Sequence, residues 1–480
     1  MDDKNKTLKT FAAFDKLGFE EFADNLTSFI ETERRFVDES LLISLNGKFG
    51  SGKSTFFEMW REQLINAKDP RFSVITLNAW DADFERDALL SIVSAFVQYF
   101  ESKGFKDNTE ELKITVGKLA KFGLSLGNQI VRNKLGVDFQ EAQRAAEPQN
   151  SGLLEKACFD LYKDRQDAFE ELKNLLKLDI TKNPLPIIII VDELDRCRPD
   201  YAVEYLETIK HIFDLTGLVF VLGVDKSSLS SSVKSLFGES LNFDEYYRKF
   251  VHRNINLPSI GNISSYDGDP QHRLSAYVSF LIKKYLKSEE LNELGRYNYA
   301  KWENTSLKKS CHIFLDLDLS PRQMHEVFRI LAHSLSANEA RSSNMLWSWQ
   351  LGTVFLASLS VADSALYKKI GLGRVTVADL TDYFNKPSIM MANNQNALWW
   401  TSFIMMGSIR SDNILDEYKA LLSGLRVSGN SAPLSSILED NSINNSLEQM
   451  NAGYDKYDSG EKTPYQLIYE TIEAIKKFAE

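Results

Sequence analysis

The sequence predicts an α/β fold: a parallel five-stranded core sheet flanked by helices, plus a helical insertion and an all-helical C-terminal region. Three observations predict it. Short apolar runs alternate with stretches of helical periodicity through about the first 260 residues. The run "LPIIIIVD" is apolar along its length, as strands covered on both faces of a parallel sheet are. Beyond Gly261 no strand pattern recurs, and the chain reads as helices separated by Asn/Ser/Gly turns.

The elements follow in order. Phe19 to Phe36 is helical in period, with Phe22, Leu26, Phe29 and Ile30 on one face. Leu41 to Leu45 is a buried strand, and a helix follows from about Ser54. Arg71 to Trp80 reads as a second strand and Asp87 to Phe100 as an amphipathic helix. Residues from about 101 to 183 are polar and helical in pattern, an insertion between strands. Leu185 to Asp192, Leu218 to Asp225 and Arg253 to Pro258 supply the remaining strands, with a helix around Tyr201 to Phe213. Ser320 and Pro321 are a serine cap and a first-turn proline. The domain reading is a core over 1–260 with its insertion at 101–183, a lid-like segment over 261–335 and a helical domain over 336–480.

Composition narrows the function classes. With 480 residues, 43% of them apolar, the chain can build two or three domains. Its net charge of −11 argues against a broad nucleic-acid or anionic-membrane footprint. Cys158, Cys197 and Cys311 are odd in number and far apart, which fits neither a disulfide framework nor a zinc site. The N-terminal stretch has no apolar signal core. The most apolar segment, from Trp347, is closed by Asp363 before the roughly 20 residues a bilayer span needs, so it reads as a core helix. No integral membrane segment is expected, and a cytoplasmic location is.

Chemistry concentrates at "GKFGSGKS", Gly47 to Ser54, which fits G-x-x-x-x-G-K-[ST] between a strand and a helix. Gly47, Gly50 and Gly52 let the backbone wrap a polyphosphate where a Cβ would clash. The amides of Lys48, Phe49, Ser51 and their neighbours then face the anion at a helix N-terminus. Lys53 reaches the β- and γ-phosphates, the Ser54 hydroxyl suits Mg²⁺, and Thr55 is a weaker candidate for the α-phosphate. Downstream, Asp192 ends an apolar strand at the carboxyl edge of the sheet, where it would hold Mg²⁺ through water. Glu193 follows and can polarise an attacking water as general base. For the strands of Leu41 and Asp192 to serve one site, another strand must lie between them. The set is that of a P-loop NTPase with an additional catalytic glutamate.

These segments together resemble the KAP family of P-loop NTPases. The resemblance runs from about Asp15 to Leu331. It rests on "DKLGFEEFADNL" before the first strand, on "GKFGSGKS" with Phe49 where tryptophan is usual, on "LNAW" ending at Trp80, and on "VDELDRCRP". "LGVDKSSL", "YYRKFVHRNINLP" and "LSPRQMHEVF" are also similar to family segments. Glu193 departs from the family's usual second aspartate, a change that favours hydrolysis. Many members carry transmembrane helices in the insertion; here "ITVGKLAKFGLSLGNQIVRNKLGV" is interrupted by Lys118, Lys121, Arg132 and Lys134. The resemblance implies ATP as substrate, and no guanine-reading N-K-x-D is present. It also implies a role in phage exclusion or defence; self-association or an effector protein partner is a separate expectation.

The remaining candidates are weighed singly. Asp195 and Arg196 read as a structural ion pair, with contact to nucleotide or a neighbouring subunit as the alternative. Cys197 reads as packed rather than reactive. Asp225 is either a loop cap or an indirect sensor of the phosphate. Arg248, Lys249 and Arg253 form a solvated face or place an arginine at an adjacent subunit's γ-phosphate. Arg322 opens a helix which, as a lid, would set an arginine over the phosphates. Trp80 reads as core, Asn78 as the better placed to touch the attacking water, and "NALWWTSFIMM" as core packing. The resulting expectation is a Mg²⁺-dependent ATPase working as a switch or assembly platform. A nucleic-acid-associated ATPase and a nucleotide-binding module without turnover are the alternatives.

Overall fold

The computed structural model describes residues 9–84, 87–104, 110–115, 117, 151–183, 185–258, 270–285, 313–337, 347–386, 394–425, 440–454 and 462–479. Most of the Lys- and Arg-interrupted stretch of the insertion lies outside them. The chain divides into two compact units, Met1–Pro258 and Ser259–Glu480.

In the first unit five parallel strands, β1 (Leu41–Asn46), β2 (Ser73–Asn78), β3 (Ile187–Asp192), β4 (Leu218–Val224) and β5 (Arg253–Asn256), lie in the order β2-β3-β4-β1-β5. The strand between β3 and β1 is therefore β4. Side chains alternate across the sheet, so the apolar run of β3 feeds two cores at once. Ile187, Ile189 and Val191 join one buried cluster, and Ile188 and Ile190 the other.

Helices cover both faces. On one lie α1 (Glu20–Glu33) and α2 (Lys53–Ile65). On the other lie α3 (Ala88–Ser102), the C-terminal part of α4 (Ser151–Lys182), α5 (Pro199–Ile212) and α6 (Lys226–Phe237). The segment before β1 is tied down by Phe56 of α2, whose ring packs against Phe11, Phe19, Phe22, Phe57 and Trp60. The Trp60 indole N–H, buried with them, donates to Thr27 Oγ1 at 2.9 Å. The inner face of α1 differs from the one expected. Ala23, Leu26, Thr27 and Ile30 are buried, while Phe29 points outward, because the helix contacts α2 along a narrower stripe.

In the second unit the described residues form helices: α7 (Pro270–Tyr285), α8 (Pro321–Ala337), α9 (Trp347–Ala362), α10 (Ser364–Gly371), α11 (Val377–Phe384), α12 (Asn394–Ser408), α13 (Ile414–Gly424), α14 (Asp440–Tyr454) and α15 (Pro464–Ala479). Ser320 caps α8 as expected, its Oγ accepting from the Gln323 amide at 3.4 Å while its own backbone N–H donates to Gln323 Oε1 at 2.9 Å. Helix α9 is core: Val354, Phe355, Leu356 and Leu359 are buried, and none of the described helices is long and apolar enough to cross a membrane. In α12, Trp399 stacks on Phe403, whose ring meets Tyr465 of α15.

One half-buried acid makes the first unit's stability depend on pH. Burial, and then Asp87, Asp200 and Glu207, push the Glu204 carboxyl of α5 from an ordinary 4.5 up to about 7. Its Oε1 has no hydrogen-bond partner. Between those two values the unfolded chain has released a proton that the folded chain still holds. Stability therefore falls as pH rises through this window, and stays lower above it. Glu204→Gln, neutral throughout, is expected to raise the thermal midpoint at pH 8 and to approach wild type as pH falls below 4.5. Equal shifts at both ends would show that Glu204 does not titrate on folding.

Candidate functional site

The carboxyl ends of the strands gather at one edge of the sheet, which is where ligands of open α/β folds sit. Register pairs Asn46 with Val224 and Asn256, and Asn78 with Asp192. Asn46 ties its neighbours together: its Oδ1 accepts from the Lys226 amide at 2.9 Å, and its Nδ2 donates to Asn256 Oδ1 at 2.8 Å.

From that edge the chain turns through Gly47–Gly52 into α2. Gly50 (φ 77°) and Gly52 (φ 99°) take the left-handed backbone that glycine adopts without strain. A Cβ on Gly47 would stand 2.7 Å from Ser51 Oγ and 3.2 Å from Lys53 Cγ, so a side chain there would press on both. The loop is pinned from outside, the Phe49 amide donating to Asp225 Oδ2 at 3.1 Å and the Gly47 amide to the Val224 carbonyl at 3.0 Å. Within it, the buried Lys53 ammonium donates to the Gly47 carbonyl. Ser51 Oγ is buried with no hydrogen-bond partner, and Ser54 and Thr55 are exposed. An open cradle with an unpaired hydroxyl and a buried cation is complementary to a polyphosphate.

Asp192 and Ser54 share a hydrogen bond, so the loop hydroxyl and the strand-end acid meet directly. Hard oxygen donors so placed fit Mg²⁺. Burial raises the Asp192 carboxyl, opposed by the bonds from Ser54 and the Glu193 amide. Burial lowers the Lys53 ammonium, while Asp195, Asp225 and Asp192 work to hold it charged. For Asp225, burial is outweighed by bonds from the Ser227 hydroxyl and the Phe49, Ser228 and Ser227 amides, leaving it below the ordinary range. Asp225 thus caps α6 and braces the loop together.

Glu193 sits at φ 64°, one of two described non-glycine residues with positive φ. Its Oε2 accepts from Asn78 Nδ2 at 3.3 Å, and its Oε1 pairs with Arg196 Nη2 at 2.8 Å. The expected Asp195–Arg196 pair is replaced by this one, because the tight turn Leu194–Arg196 brings the third residue after Glu193 back onto it. Trp80 corrects a second expectation: it is 51% exposed. Asn78 caps the turn Ala79–Asp83 by accepting from the Trp80 and Asp81 amides, which turns Ala79 inward and Trp80 out beside the loop. The Arg196 guanidinium lies 5.0 Å from the Phe49 ring centre and 5.8 Å from that of Trp80. Arg198 latches the turns after β2 and β3 together, its Nε and Nη2 on Asp83 Oδ1 at 3.1 and 3.0 Å.

Lys53, Ser54, Asn78, Asp192 and Glu193 are thus brought together. Other candidates belong to the second unit or are engaged elsewhere. Arg322 is the second residue of α8, in the second unit. Arg253 pairs with Glu33 at 2.6 Å, and Arg248 and Lys249 are exposed. Cys197 is buried, and burial raises its thiol far above the ordinary range, as a packed cysteine requires.

Sequence reasoning missed Gly223, whose signal was a lone glycine inside the run "LVFVLGVD". A Cβ there would meet Phe57 Cε2 at 2.4 Å and Asp192 Oδ1 at 2.8 Å. Gly223→Ala is expected to cost about 1–3 kcal/mol through overpacking. It should also weaken Mg²⁺-dependent ATP binding by displacing the carboxylate. A thermal melt and a Mg²⁺ titration separate the two effects; unchanged values in both would mean the contact relaxes freely.

Residues 19–337 match the sequence model of the KAP family P-loop domain. The phage T7 exclusion protein of Escherichia coli (strain K12) is 22% identical over 273 residues, covering 51% of this chain and 33% of that protein. The chain thus spans a third of that relative's length. Protein MJ0182 of Methanocaldococcus jannaschii is 25% identical over 172 residues, 30% of this chain and 87% of that one. Among solved structures, Aeropyrum pernix ORC2 (ADPNP-ADP complexes) aligns over 100% of this chain and 98% of its own, at 13% identity and a TM-score of 0.30. Pyrobaculum aerophilum Cdc6p aligns over 100% and 99%, at 10% identity and 0.35. Scores this low add nothing to the strand order.

Proposed function

Since the chain belongs to the KAP family of P-loop proteins, we propose that it is a cytoplasmic, Mg²⁺-dependent ATPase whose nucleotide state drives a switch or assembly platform. The observation that carries this reading is the meeting of Ser54 with Asp192 beneath an open glycine cradle holding a buried Lys53. Loop amides and Lys53 bind the phosphates. Ser54 and Asp192 hold Mg²⁺, which neutralises charge on the phosphate oxygens. Glu193, oriented by Asn78, takes a proton from the attacking water. Preference for ATP over GTP follows the family and the absence of N-K-x-D.

In this reading segment 261–335 acts as a lid carrying Arg322, and region 336–480 is what hydrolysis repositions. Similarity to the phage T7 exclusion protein supports a role in defence against phage, through self-association or an effector protein. The test is phosphate release from ATP with and without Mg²⁺, with the mass of the chain in solution measured with and without ATP. Mg²⁺-dependent release with a nucleotide-dependent mass supports the reading. No release sinks the ATPase, and an invariant mass sinks self-association. Stimulation of turnover by DNA or RNA would favour the nucleic-acid alternative.

A further inference from the structure

We infer that Arg196 reads the terminal phosphate, leaving Glu193 for the γ-phosphate when a triphosphate binds and thereby freeing the base. The inference rests on the proposed reading of Glu193.

Both oxygens of Glu193 are engaged, Oε2 by the neutral Asn78 amide and Oε1 by the charged Arg196 guanidinium. A carboxylate oxygen gripped by a guanidinium is engaged where an attacking water would have to hydrogen-bond. This arrangement holds Glu193 in place with both oxygens engaged. Something must draw Arg196 away before water can be activated.

The position of Arg196 names what does. Its guanidinium lies by the ring of Phe49, a residue of the phosphate loop, and by that of Trp80, which follows the Asn78 cap. Its side chain is 34% exposed, so it is reachable but not free in solvent. A γ-phosphate on this loop offers three oxygens and about two charges against the single charge of Glu193, in a form a guanidinium can grip with two bonds. ADP lacks that group. A flat, delocalised cation can shift along ring faces while keeping its contact with them, which a lysine ammonium does less well. Glu193 meanwhile stays where it is. Its left-handed backbone at φ 64° is a costly conformation that its neighbours maintain, and Asn78 still holds one oxygen.

The experiment uses the full chain, with ATP and ADP in Mg²⁺. Trp80 emission is isolated as the difference between wild type and Trp80→Phe. ATP is expected to change it and ADP to leave it unchanged. Arg196→Ala is expected to weaken ATP binding by about tenfold or more while leaving ADP binding within about twofold. Arg196→Lys should not restore the difference, and Arg196→Gln is the second variant if the alanine form melts early. A ratio of ADP to ATP affinity preserved in the folded variants overturns this assignment alone. Wild type that binds neither nucleotide overturns the site and this assignment with it.

Discussion

Glu193→Gln is expected to bind ATP at least as tightly as wild type and to hydrolyse it at least about a hundredfold more slowly. The two halves of this result have separate causes. Glutamine keeps the length of the side chain and an oxygen for Asn78, so the backbone at φ 64° and the turn behind it need not change. Its amide cannot take a proton from water, so turnover falls. Nor can it pair with Arg196 as a carboxylate does, so the guanidinium is released to the nucleotide and binding holds or strengthens. Nucleotide binding and single-turnover phosphate release, measured on the same preparation, check both halves. Equal slow turnover in wild type and variant would remove Glu193 from the role of base. A variant that binds ATP more weakly than wild type would show that the Arg196 pair does not compete with the nucleotide.

The sheet and the phosphate loop were legible because each rests on local signals. Ile187 to Val191 could only be a strand buried on both faces, and "GKFGSGKS" between strand and helix has few structural readings. The carboxyl-edge placement of Asp192 followed from where the apolar run stopped. What could not be read depended on geometry after a turn. Trp80 looked like core because it closes a strand, yet the Asn78 cap ends β2 two residues earlier and turns the indole outward. Arg196 looked like the partner of its neighbour Asp195. The tight turn and the left-handed Glu193, neither of which leaves a pattern in composition or period, gave it Glu193 instead. Gly223 could be flagged as unusual, but the ring and carboxylate that crowd it come from α2 and β3, distant in sequence.

Lys53→Ala is expected to lower affinity for ATP and ADP alike by about a hundredfold or more, the scale of removing one partner from a buried charge pair. Lys53 is the one lysine or arginine that is buried among the described residues. Burial disfavours its charge; Asp195, Asp225 and Asp192 oppose that effect. Taking the cation away leaves those carboxylates facing a polyphosphate of like sign, so the loss is repulsion uncovered as well as attraction removed. Unlike a change at Arg196, the loss does not distinguish ATP from ADP, because Lys53 lies inside the loop against the Gly47 carbonyl rather than at its rim. Because burial outweighs the acids and leaves the ammonium disfavoured in the fold, loss of the charge is not expected by itself to lower the thermal midpoint at either high or low salt. Titration with both nucleotides and melts at two ionic strengths test this. Affinity within about threefold of wild type would mean that Lys53 serves the fold of the loop and that the phosphates sit elsewhere. A loss confined to ATP would transfer to Lys53 the discrimination assigned to Arg196.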